Sequence, residues 1–205
     1  MKIGIIGTGN MGRILAEALI DGNAVSPSSM MITNRTLLKA IEIQKIYPGV
    51  SVGKNAAEVA EYADAIFVCV KPHHVLGVLD TINPVITRDK CLISITSPIS
   101  VEQIESIVDC SVMRIIPSIT NRALAGVSLF SFGTRCKTEW REALFTLLKR
   151  FLFLWRSRRI LQEWRPILSA AVRLSSVILC RVLLMQLSRK RKLTRKLPPS
   201  FQVRC

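Results

Sequence analysis

The chain has 205 residues, 49% of them hydrophobic, and a formal net charge of +15. That length fits one domain and part of a second, and the apolar share is enough to fill a core. Met1-Lys2 leads straight into a strand with no secretory signal, no apolar run of about 18 residues suggests a membrane span, and six scattered cysteines show neither CxxC nor metal-ligand spacing. A cytoplasmic protein with reduced thiols and no metal site is expected.

The charge is uneven. Residues 1–150 hold 16 Lys+Arg against 13 Asp+Glu, whereas residues 151–205 hold 13 against one, Glu163. The two parts are therefore read separately, with a domain over 1–150 and an aberrant basic tail over 151–205.

Residues 2–6 are apolar and isoleucine-rich and predict a short buried strand. It runs into Gly7-Thr8-Gly9-Asn10-Met11-Gly12, after which Ile14, Leu15, Ala18 and Leu19 mark a helix. A GxGxxG between strand and helix is a dinucleotide-binding context. Gly7 permits the tight turn, Gly9 lets backbone approach a pyrophosphate, and Gly12 lets helix and strand lie close. The helix N-terminus then offers unpaired N–H groups to phosphates. An ordinary strand–turn–helix without a ligand is the plainer alternative.

Residues 30–33 predict a second strand, ending at Asn34-Arg35-Thr36. Folds that favour NAD place an acid here for the ribose 2′-hydroxyl. This chain instead has a cation between two polar residues, which suits a 2′-phosphate and favours NADP(H) over NAD(H). A solvated loop arginine is the alternative.

A helix over 37–46, a turn at Pro48-Gly49, a brief strand over 50–52 and a helix opening at Asn55 follow. Residues 65–70 are wholly apolar and predict a central parallel strand. It stops at a loop, Lys71-Pro72-His73-His74, where open α/β sheets place ligands. Lys71 suits a phosphate or carboxylate, or is a solvated loop residue. The adjacent histidines lack a nearby acidic or cysteine partner and are not read as metal ligands. Helices over 75–82, 101–107 and 139–150 alternate with strands over 91–95, 111–115 and 127–132. The pattern is that of an α/β, Rossmann-type, doubly wound and mostly parallel sheet.

Taken together, GTGNMG, NRT, VKP, SITSPIS and RIIPSITNRALAGVSLF resemble the pyrroline-5-carboxylate reductase family, and within it the late-competence branch. The likeness covers about residues 1–150. It implies that Gly7, Thr8, Gly9, Asn10 and Met11 hold the pyrophosphate of NADP, and that Asn34, Arg35 and Thr36 hold its 2′-phosphate. It places Asn55 on the adenosine side and Val70, Lys71 and Pro72 along the cofactor. Thr96 and Ser97 stand where the family has Ala-Ala beside the nicotinamide, and Ser118-Ile119-Thr120 replaces Asn-Thr-Pro. The resemblance implies hydride transfer from NADPH to a small cyclic imine, giving L-proline, in a homodimer. The family's dimer contacts come from a second, all-helical domain with an S-x-x-G-P-A signature, which does not follow Arg150.

The tail reads as a shifted frame. If each original codon joins the third base of one tail residue to the first two of the next, the genetic code permits a peptide containing CGPAFFSY. That segment resembles the missing dimer helix. Trp164 before Arg165 permits only Ala or Glu, and Met185 before Gln186 permits Ala; both match. Basic codons moved by one base become the Glu codons of a solvated helix. A nucleic-acid arm and a segment lying on an anionic membrane around Phe151 to Trp155 are the rival readings, and neither anticipates the frame relation. A basic helical or poorly ordered tail, apolar over 167–187, is therefore expected in place of the helical domain. No specific nucleic-acid or membrane partner is expected. Without that domain, weak to moderate NADPH binding and near-background reductase turnover follow.

Overall fold

The computed structural model describes residues 1–116, 126–148 and 152–156. In chain order the elements are β1 (Ile3–Ile6), α1 (Asn10–Asp21), β2 (Met30–Thr33), α2 (Leu38–Ile46), β3 (Ser51–Val52), α3 (Ala56–Tyr62), β4 (Ala65–Val68) and α4 (Pro72–Ile82). There follow β5 (Cys91–Ser94), α5 (Val101–Glu105), β6 (Ser111–Ile116), β7 (Gly126–Phe132), α6 (Thr138–Leu148) and β8 (Leu152–Arg156).

The strands form one sheet in the order β3-β2-β1-β4-β5-β6-β7-β8. The first six are mutually parallel, with Ile3 opposite Met30 on one side and Ala65 on the other. β7 runs antiparallel to β6, pairing Met113 with Phe132. β8 runs parallel to β7 at the edge, pairing Gly126 with Leu152. The sheet thus extends into the segment that the charge pattern assigns to the tail. Leu-Phe-Leu-Trp is a sequence of high strand preference. The expected helix over 167–187 lies outside the described residues.

Alternation along each strand sorts the core onto two faces. Ile3, Ile5, Ala65, Phe67, Cys91, Ile93, Met113 and Ile115 pack with the buried residues of α1, α2 and α6. Ile6, Ile66, Val68, Leu92 and Val112 pack with those of α3, α4 and α5. This is the double winding expected from the sequence. Gly4 shows why β1 tolerates no side chain there: a Cβ would lie 2.7 Å from Val59 Cγ1 and 2.8 Å from Ala63 Cβ.

The helix ends follow local chemistry. Asn55 Oδ1 accepts the Glu58 amide at 2.9 Å and caps α3. Ser100 and Gln103 form a reciprocal capping box on α5. The far end of α3 is closed by Lys90, whose Nζ donates to Ala60 O, Glu61 O and Ala63 O at 2.5, 2.7 and 2.9 Å. A cation there also meets the negative end of the helix dipole. One boundary departs from expectation in a way that matters below. α4 begins at Pro72, because proline at the first helical position has its φ preset and no N–H to lose. Lys71-Pro72-His73-His74 is accordingly an N-cap and a first turn, not a loop.

Candidate functional site

The carboxyl ends of β1, β2, β4 and β5 bring the sequence-singled residues to one edge of the sheet. Gly7 leaves β1 with φ +100°, a conformation open to glycine, and its amide donates to Thr33 O at 2.8 Å. A Cβ on Gly7 would lie 2.7 Å from Cys69 O, and one on Gly12 would lie within bonding distance of Gly7 O. These two glycines are required by the fold itself. Gly9 is different: a Cβ there would meet nothing within 4 Å. Packing among the described residues gives no reason for glycine at that position, whereas close approach of an external group would.

Gly9 is the N-cap of α1, and Asn10 and Met11 open the helix with no acidic residue in its first turn. The free amides there, with the helix dipole behind them, are suited to an anion. Thr8 is 3% exposed, and its hydroxyl has no hydrogen-bond partner among the described residues. The Thr96 hydroxyl, just past β5 and 5% exposed, is in the same condition. Buried hydroxyls are ordinarily paired; Thr8 and Thr96 share this edge, while the other unpaired one among the described residues, Ser131, lies on β7.

Asn34 joins the first two loops. Its Oδ1 accepts the Thr8 amide at 3.2 Å while its Nδ2 donates to Thr36 O at 3.1 Å. Arg35 and Thr36 follow, both exposed. Thr33, buried below them, donates its hydroxyl to Gly53 O at 2.8 Å and holds the end of β2 against the β3 exit. Asn55 spends its carbonyl oxygen on capping α3. Val70 lies beside the glycine turn, since a Cβ on Gly7 would come 2.9 Å from Val70 Cγ1. Past β5, Arg114 Nη1 donates to Ser97 O and Ile99 O at 3.3 and 3.1 Å and fixes the segment that carries Thr96. Ser118, Ile119 and Thr120 lie outside the described residues.

His74, weighed from the sequence only as a metal ligand and set aside, has a different neighbour. Its Nε2 lies 3.5 Å from Arg35 Nη1, across a separation of 39 residues. The missed signal was Pro72, which predicts a helix start and so places His74 in a first turn at the ligand edge. The His74 imidazole is held below its ordinary value by desolvation first, then by the charges of His73, Arg35 and Lys71. Cys69, under the glycine turn, has its thiol pushed up by burial alone and is not a nucleophile at neutral pH.

A family model described as "NADP oxidoreductase coenzyme F420-dependent" matches residues 2–98. ComE operon protein 4 of Bacillus subtilis (strain 168) is 52% identical over 149 residues, covering 73% of this chain and 55% of that protein. A pyrroline-5-carboxylate reductase of Methanobrevibacter smithii is 30% identical over 156 residues, covering 74% of this chain and 61% of that protein. Among solved structures, Plasmodium falciparum pyrroline carboxylate reductase with NADP bound shares the fold at TM-score 0.72 and 18% identity, over 95% of this chain and 71% of that one. The chain spans little more than half the length of the curated relatives it matches. Among the described residues, no helix is long and apolar enough to cross a membrane. Over about its first 150 residues the chain is similar to ComE operon protein 4 and to pyrroline-5-carboxylate reductases.

Proposed function

We infer that the chain is the NADP(H)-binding half of a pyrroline-5-carboxylate reductase-type oxidoreductase, able to hold the cofactor but not to turn over an imine. The observation that carries this reading is the pairing of a cradle at Gly9, which a Cβ could occupy freely, with Arg35 at the end of β2. The residues present fit NADP. The α1 amides and the Thr8 hydroxyl would hold the pyrophosphate, Asn34, Arg35 and Thr36 the 2′-phosphate, and Val70, Lys71 and Pro72 the edge of the adenosine. Asn55 would face the adenosine through the groups its capping bond leaves free. Thr96 would border the nicotinamide.

Bound NADPH would supply a hydride to the carbon of a cyclic imine whose nitrogen takes a proton. The described residues offer cofactor binding and little else. Thr96 and Ser97 position the β5 exit, and Arg114 keeps it in place. An imine must be held in near-attack geometry for hydride transfer, and that task falls to a helical domain and a homodimer partner in the family. The tail in its place is proposed to be an out-of-frame product. The matched lengths of 149 and 156 residues support a family portion that ends near the charge break. A second reading, a dinucleotide-binding regulatory protein without chemistry, is favoured by Thr96 and Ser97 in place of two alanines.

The test is direct. The full chain is mixed with NADPH and 1-pyrroline-5-carboxylate and followed at the nicotinamide absorbance, with NADPH binding measured separately. Binding without turnover above background is expected. Measurable proline formation contradicts the inactivity, and a frame-restored protein that binds NADPH yet makes no proline favours the second reading. The bases around the codons for Lys149 to Leu152 test the frame, since a one-base shift must yield the CGPAFFSY helix.

A further inference from the structure

We propose that His74, projecting from the first turn of α4, is a second ligand of the cofactor's 2′-phosphate and acts with Arg35 to discriminate NADP(H) from NAD(H). This rests on the reading of Arg35 as a 2′-phosphate ligand and adds to it a residue from a different element.

The geometry carries the inference. Arg35 leaves β2 and His74 opens α4, yet Arg35 Nη1 and His74 Nε2 come within 3.5 Å. A guanidinium has only donors, so Nε2 is the acceptor, and His74 in this arrangement is the neutral imidazole protonated at Nδ1. Facing a cation with no carboxylate between them, His74 is opposed in taking up a proton, and an anion would remove that opposition. The groups acting on His74 are Arg35 from the β2 exit, Lys71 at the α4 N-cap and His73 alongside it, with ring centroids 4.1 Å apart. All are basic. Both Arg35 and His74 are solvent-exposed, so a phosphate can reach them without rearrangement.

A dianionic phosphate placed between Arg35 and His74 reverses the local field. It favours the imidazolium, whose Nε2–H then donates to a phosphate oxygen while Arg35 keeps its own bonds to the phosphate. Binding therefore takes up a proton. The sign follows: the ligand raises the His74 value, so its share of the affinity is present at low pH and fades as pH rises through the liganded value. NAD(H), which has no 2′-phosphate, should show none of this.

Isothermal titration of the full chain with NADP and with NAD tests the proposal, using two buffers of different ionisation enthalpy between pH 5.5 and 8.5. The phosphate itself titrates near pH 6, so the diagnostic is the difference between wild type and His74→Gln. Wild type should take up more protons than His74→Gln on binding NADP, and should favour pH 6 over pH 8 by about threefold more, the scale of an exposed ion pair. NAD binding should not change, and His74→Lys should hold NADP with a flatter pH profile. Equal proton uptake in wild type and His74→Gln overturns the proposal while leaving Arg35 intact as a ligand. An equal loss of NADP and NAD affinity overturns it too, by assigning His74 to the adenosine. If wild type binds neither dinucleotide, the underlying reading fails along with it.

Discussion

Asn34 Oδ1 accepts the Thr8 amide at 3.2 Å and so ties the glycine turn after β1 to the loop after β2. The bond fixes the spacing between two loops that, on the proposed reading, hold the pyrophosphate and the 2′-phosphate of one dinucleotide. Replacing Asn34 by Ala leaves a partly buried N–H without its acceptor, at a cost of about 1–3 kcal/mol. Asn34→Ala should therefore lower the melting temperature, and it should weaken NADPH binding about tenfold in a fluorescence titration by loosening the turn.

Two glycines of the turn, Gly12 and Gly9, should separate by mechanism. Gly12→Ala forces a Cβ onto Gly7 O, where backbone must move. It should destabilise the fold by about 1–3 kcal/mol or more, as overpacking does. At Gly9 a Cβ meets nothing within 4 Å among the described residues, so Gly9→Val should fit. It should melt within a degree or two of wild type yet bind no NADPH, because its side chain fills the pyrophosphate cradle. A Gly9→Val protein that binds NADPH normally would show that the cradle holds no phosphate.

Arg35 should set the cofactor preference. Arg35→Asp removes the cation and installs the acid that favours a 2′-hydroxyl. NADPH affinity should fall by at least about tenfold, the worth of one charge-assisted contact. NADH affinity should hold or rise, and competition titrations with both dinucleotides read the ratio.

Lys90 provides a control outside the site. It closes the C-terminal end of α3 through three carbonyls. Lys90→Met keeps the stem and removes the donors. It should cost about 1–2 kcal/mol in denaturant unfolding, as loss of charged hydrogen bonds at a partly exposed site does. NADPH affinity should be unchanged, because Lys90 lies at the opposite end of the strands from Gly9 and Arg35.

The double winding was legible because its causes are local. Isoleucine-rich and all-apolar runs such as Ala65 to Val68 have no stable place except between two helical layers, and the glycine spacing marks where the first strand must turn. Arg35 stood out in the sequence because of its position, just past the end of β2. The Asn34–Thr8 bond and the approach of His74 to Arg35 were not legible, since they join residues 26 and 39 positions apart and depend on how two loops stand on the sheet edge. Pro72 carried a helix start that a loop reading passed over. The strand at residues 152–156 was hidden for a different reason: charge drew the domain boundary at 150, whereas strand pairing responds to the apolar residues that follow it.

The most direct measurement is a titration of the purified full-length chain with NADPH and NADH, followed by quenching of intrinsic fluorescence. Saturable binding of NADPH, tighter than that of NADH and abolished in Gly9→Val, is the expected result. A folded chain with Gly9 and Arg35 intact that binds neither dinucleotide would contradict the assignment of this strand edge to NADP.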